Sequence, residues 1–253
     1  MQLFGEKEID LIEDFKMTYP EEILIMSEDK NNEIEKIIEL VKNIDKWIDS
    51  SGKDKVPPDF YNEENKIMME VMRVDDHGYR KHGKSVNPTY AKENKIRKEL
   101  EERGFDQLFP NAKLIATVDT GLPTEGDHNY IYYYKNFERT IKHHCERIVN
   151  YRNNHKGYKL IFFIYDESTA YIEAESSNNI VAFGKMHFHF LDKRFVKCFI
   201  NDDIDYIIWM IPYKRYAYVK DDMQPPMVTI YSKNKLVHEL FEYDEKKMIS
   251  AEK

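Results

Sequence analysis

The chain has 253 residues, of which 42% are hydrophobic and 33% charged, with a formal net charge of -8. A length of this order buries roughly 70–75% of the unfolded surface, so a core forms without disulfides, and 13% aromatic content excludes a disordered chain. The acidic balance excludes a globally basic nucleic-acid coat and confines any nucleic-acid contact to a local surface.

In chain order, residues 6–17 read as a short acidic helix with Ile9 and Ile12 inward, ended by Pro20, and 22–27 as a short strand. Residues 31–49 carry Ile34, Ile37, Ile38, Val41, Ile44 and Ile48 at the helical period, with Asn32 placed to cap and Glu35 to close a capping box. A loop over 50–57 precedes two strands, 59–62 and 66–74, around a tight turn; the second is apolar on both faces, as a central strand is. Residues 75–86 are polar and Gly-punctuated, a loop. Asn87-Pro88 opens a helix that stops at Gly104. A strand is expected over 112–118, a loop over 119–129, a helix over 137–151 capped by Asn136, and a buried strand over 158–165.

Short aromatic strands follow at 170–173, 185–190 and 205–211, and the tail from Tyr243 is charged. The expected fold is α/β (α+β), a central mixed sheet flanked by helices. It consists of a core over 1–165 and a β-rich C-terminal elaboration over 166–253, either as a separate unit or as part of the same domain. Cys145 and Cys198 lie in no CxxC spacing, which fits reduced thiols and a cytoplasmic location. The acidic first fourteen residues do not make a signal peptide, and no run reaches the ~20 apolar residues of a membrane span, so no membrane partner is expected. The richness in Lys, Ile, Asn, Glu and Tyr is that of an AT-rich bacterial or phage genome.

The strongest chemical pattern is Pro58-Asp59 followed by Glu70-Val71-Met72. On a hairpin, Asp59 and Glu70 can point to one face and meet at one hard divalent ion, Mg²⁺ or Mn²⁺. The stretch from 31 to about 118 resembles the PD-(D/E)XK nucleases, in which a helix, a hairpin carrying Asp and then Glu-X-Lys, another helix and another strand build a metal-dependent phosphodiesterase. That resemblance implies a nuclease-like core and nucleic acid as substrate. The family's lysine would fall at position 72, which here is Met72; the resemblance leaves Lys92 or Lys95, on the following helix, to take its part. The alternative is a non-enzymatic binding protein, a degenerate nuclease scaffold or an acidic inhibitor meeting a basic protein partner.

Other groupings are secondary. Asp75, Asp76, His77 and His82 have the donors of a transition-metal site, on what also reads as a solvated loop. His143, His144 and Cys145 are adjacent on a helix and cannot all face one ion; His144 is expected half-buried and His143 exposed. His187 and His189 share a face if their segment is a strand, with no third ligand evident. Residues 130–135 (YIYYYK) and 213–218 (YKRYAY) mix aromatics with cations, as in single-strand-binding surfaces or in Tyr-rich edge strands. There is no Walker A loop, GxGxxG, GxSxG or HExxH.

Overall fold

Two largely apolar stretches of the sequence, 67–74 and 159–166, become adjacent central strands of one sheet. The computed structural model describes residues 2–3, 7–27, 32–52, 56–78, 80–81, 84–85, 87–116, 118–122, 128–175, 184–199, 203–216, 219–220, 223–232 and 239–251. Seven strands form the main sheet: β1 (Ile23–Ile25), β2 (Ile48–Asp49), β3 (Phe60–Asn62), β4 (Ile67–Val74), β5 (Lys159–Asp166), and, further along the chain, Tyr206–Met210 and Val228–Ser232. Between the last two and β5 lie β6 (Tyr171–Ala174) and β7 (Gly184–Met186), so Tyr206–Met210 is β8, Val228–Ser232 is β9 and Met248–Ser250 is β10. The sheet order is β1-β9-β8-β5-β4-β3-β2. β4, β5 and β8 run parallel, β2, β3 and β4 form an antiparallel meander, and β9 is antiparallel to β8. Strands from both sides of residue 166 therefore share this sheet. A second sheet, β7-β6-β10, lies outside it.

Helices cover both faces of the main sheet. α1 (Glu8–Lys16) and α2 (Asn32–Lys42) set Leu11, Ile12, Phe15, Ile34, Ile37 and Val41 against Ile67, Met69, Val71, Ile161 and Phe163. A solvated helix, α3 (Pro88–Glu102), buries none of its side chains. α4 (Tyr130–Cys145) and α5 (Ile148–Asn154), with the single-turn α6 (Lys193–Val196), close the other face. There Tyr133, Phe137, Ile141, Tyr151 and Phe195 meet Met68, Met72, Leu160, Phe162 and Trp209. Odd-numbered residues of β4 and β5 thus face α1 and α2, while even-numbered ones face α4 and α5. This is why β4 reads as continuous hydrophobicity: it is covered on both sides.

Several local expectations change. The helix read over 31–49 ends at Lys42, because Asn43 bonds back to the Glu39 carbonyl and the Trp47 indole to the Leu40 carbonyl. The chain then turns so that Ile48 pairs with Tyr61. Asn32 is the first helical residue rather than the cap, and the position before it is outside the described residues. Asn87 caps α3 as expected, its Oδ1 accepting from the Tyr90 N–H at 2.8 Å.

The YIYYYK stretch is the first turns of α4, neither an edge strand nor a stacking strand. Tyr130, Tyr133, Phe137 and Ile141 are spaced by three and four and all buried. The cap is Asn129, and Asn136 lies inside the helix, donating to Asp75. Among the described residues 113–114 pair with 2–3, outside the main sheet, and residue 117 is outside the described residues. The strand read over 185–190 stops at Met186, and His189 lies in a 3₁₀ turn.

Candidate functional site

Asp59 and Glu70 are brought together. The last paired residues of the hairpin are Phe60 and Met69, so the register carried one step further sets Asp59 opposite Glu70. Glu70 is on the even-numbered face, between the sheet and the α4–α5 junction, and is 3% exposed. Its Oε1 is held at 2.9 Å by His144 Nδ1 and accepts from the Tyr151 hydroxyl, also at 2.9 Å. The Arg147 guanidinium stands 4.0 Å from the same oxygen and its side chain is 43% exposed. The other oxygen, Oε2, is buried and has no hydrogen-bond partner among the described residues. Asp59 Oδ2 accepts the Val71 N–H at 2.8 Å. Its backbone carbonyl takes the Ser50 N–H, which fixes the approach to the hairpin. Burial, and then the charge of Glu70, push the Asp59 carboxyl up to about 7, against the smaller opposing pulls of the Val71 N–H and Arg147. Two carboxyl groups at close range, one with an orphaned buried oxygen, fit a divalent cation of hard character.

The lysines that the resemblance assigns to the site each have another contact. Lys92 donates to the Asp119 carbonyl, and Lys95 sits on an exposed face of α3 against Glu99 at 3.9 Å. Met72 is 2% exposed and packs in the core beneath α4. The cation nearest Glu70 among the described residues is Arg147, which sequence reasoning missed. It lies at the break between α4 and α5, 77 positions after Glu70, where no local pattern links it to the hairpin. His144 is half-buried and His143 exposed, as their adjacent helical positions require.

A second grouping forms where β4 ends. Asp76, His77 and His128 each offer one ligand atom, all within 4.8 Å of one another, in a buried to half-buried setting that could chelate a metal. Asp75 is turned to Asn136, and His82 is outside the described residues. His128 lies in what reads as an ordinary loop; the one sequence signal is its place directly before the capping Asn129.

Other buried acids are saturated with donors. Asp166, at the end of β5, accepts from the Tyr133 hydroxyl, the Trp209 indole, Lys214 Nζ, and the N–H and hydroxyl of Ser168. Asp192 accepts from Tyr130 and the Arg194 N–H and is 2.8 Å from His187 Nε2. His187 is thus turned to a carboxylate, and His189, whose ring nitrogens have no partner among the described residues, packs on Trp209. The two histidines do not form a pair of ligands. Lys214, in the YKRYAY stretch, is buried rather than displayed to a nucleic acid.

No protein-family model, curated protein or solved structure matches this chain. No helix among the described residues is long and apolar enough to cross a membrane.

Proposed function

We propose that the chain is a divalent-metal-dependent phosphodiesterase acting on nucleic acid, with Asp59 and Glu70 as ligands of Mg²⁺ or Mn²⁺. The observation that carries this reading is the buried Oε2 of Glu70, without a hydrogen-bond partner among the described residues, beside a second carboxyl whose pKa burial and then the charge of Glu70 push up to about 7. A buried carboxylate oxygen left without a donor is costly unless a cation completes it. The strand order also supports a PD-(D/E)XK-like core. α2, the β2-β3-β4 meander, α4 and the parallel strand β5 follow the order of that family, with residues 75–128 inserted before α4. In that order the helix that corresponds to the one after the Glu-bearing strand is α4 rather than α3, the helix that carries Lys92 and Lys95.

The ion would supply a Lewis acid and a bound water of lowered pKa. His144 and Tyr151 fix Glu70 through Oε1 and leave Oε2 without a donor among the described residues. Arg147, half exposed at the rim, is placed to meet a phosphate oxygen and to take the cationic part that Met72 cannot. The buried Met72 favours a second reading, a scaffold that keeps the carboxylate pair but binds a basic partner without cleaving.

Single- and double-stranded DNA and RNA incubated with Mg²⁺, with Mn²⁺ and with chelator separate the two. Cleavage that needs the ion and falls at least ~100-fold in Glu70→Gln supports the enzyme. Equal cleavage by wild type and Glu70→Gln overturns it. Binding of the ion without cleavage selects the scaffold.

A further inference from the structure

The grouping at the end of β4 has donors of a different kind. We infer that Asp76, His77 and His128 form a site for a late transition-metal ion of the Zn²⁺ class, separate from the Asp59–Glu70 pair, that staples the end of β4 to the entry of α4. Two imidazoles and one carboxylate suit Zn²⁺, Co²⁺ or Ni²⁺, whereas Mg²⁺ takes oxygen ligands.

The backbone already sets the ligands in place. His77 and His128 face each other across an isolated antiparallel bridge, and the Asn129 N–H bonds the Asp76 carbonyl at 3.1 Å. The two imidazole rings lie 5.1 Å apart, centre to centre. Asp76 is fully buried, and its Oδ2 is taken by three donors: the Thr169 N–H and hydroxyl at 2.9 Å each, and the Tyr171 hydroxyl at 2.6 Å. These donors orient the carboxylate as outer-shell partners do at metal sites. They leave Oδ1 as the oxygen turned to the histidines, 2.9 Å from His128 Nδ1.

Tetrahedral ligands at Zn–N and Zn–O lengths of about 2.0–2.1 Å stand about 3.4 Å apart. The Oδ1–Nδ1 gap therefore has to open by roughly 0.5 Å, the amplitude of ordinary thermal motion in a well-ordered protein. The hydrogen between Nδ1 and Oδ1 gives way to the ion: neutral His128 moves its proton from Nδ1 to Nε2 by exchange with solvent, and protonated His128, which already carries one on Nε2, releases the Nδ1 proton to solvent. The His128 side chain is 19% exposed, so ion and water reach the site from that side, and water fills the fourth position.

The full chain, stripped with chelator and dialysed, is titrated with Zn²⁺ by calorimetry and with Co²⁺ by visible absorption. The expected result is one Zn²⁺ per chain, a four-coordinate Co²⁺ spectrum, and a rise in Tm with Zn²⁺. His128→Gln and His77→Gln should each weaken Zn²⁺ binding at least 10-fold, and the double variant should abolish it. Asp59→Asn should leave it unchanged, so failure of this site and failure of the Asp59–Glu70 reading are told apart. Circular dichroism without metal checks the fold of each variant. If a variant does not fold, the Co²⁺ spectrum of the wild-type chain decides. No Zn²⁺ uptake by the wild-type chain, an octahedral Co²⁺ spectrum, or unchanged affinity in the folded double variant overturns the site.

Discussion

Asp166 and Glu70 are both buried acids on central parallel strands, yet their surroundings are opposite. Asp166 has five donors, including a lysine that is itself buried. Glu70 has one oxygen satisfied by His144 and Tyr151, one oxygen with no partner among the described residues, and a second carboxyl as its neighbour. A fold that builds such a complete shell around one acid leaves the other incomplete at a cost in stability. The difference teaches that burial alone does not mark a site; the count of donors around the buried charge does. Asp76 stands between the two, with one oxygen saturated and the other shared with a histidine.

The comparison breaks first at Lys214. Burial holds its ammonium pKa down, against the charge of Asp166. Lys214→Met removes the cationic donor at Asp166 and leaves the acid buried, so urea unfolding should show a loss of about 3–5 kcal/mol. A change under about 1 kcal/mol would mean that the hydroxyl and indole donors alone carry Asp166.

The next effect has the opposite sign. Asp59 has a folded pKa of about 7, raised by burial and by Glu70, against an unfolded value near the ordinary carboxylate range. A raised carboxyl contributes stability that is present below about pH 4 and is lost as pH rises through about 7. Asp59→Asn should flatten that dependence. It should leave the protein more stable than wild type at pH 8 by about 1–2 kcal/mol, once solvent screening at this partly exposed group is allowed for. Millimolar Mg²⁺ or Mn²⁺ should raise the wild-type Tm at pH 8 and leave that of Asp59→Asn unmoved. A wild-type stability with the same pH dependence between pH 4 and 8 as that of Asp59→Asn would mean that Asp59 and Glu70 exert no like-charge strain on the fold.

Smaller effects belong to α3, which buries no side chain. Asn87→Ala should cost about 1 kcal/mol of local helix stability, read as faster amide exchange along α3 with exchange in β4 and β5 unchanged. Smallest of all, Lys95→Ala should shift stability by less than about 0.5 kcal/mol, because its pair with Glu99 is exposed, and should leave any cleavage intact. Loss of cleavage in Lys95→Ala would return the helix lysine to the site.

The hairpin was legible because it is local. Asp59, directly before β3, and Glu70, on the neighbouring β4, lie 11 positions apart, so the period of two and a tight turn set them opposite each other. The same short-range rules gave α2, the Asn87 cap and the half-buried His144. They failed at Tyr130–Lys135, where aromatic letters suggested a strand and the spacing of three and four in Tyr130, Tyr133, Phe137 and Ile141 made a helix.

What the sequence determined by itself was the apolar periodicity, and with it the central strands, the helices that cover them and the carboxylate hairpin. Only the tertiary structure decided which groups complete each acid. His144 is 74 positions from Glu70, His128 is 52 from Asp76 and Lys214 is 48 from Asp166. Periodicity reports which face of an element is buried, because burial repeats with the element's own geometry. It carries no record of which residue of another element will arrive opposite a given side chain, since that depends on how whole helices and strands pack.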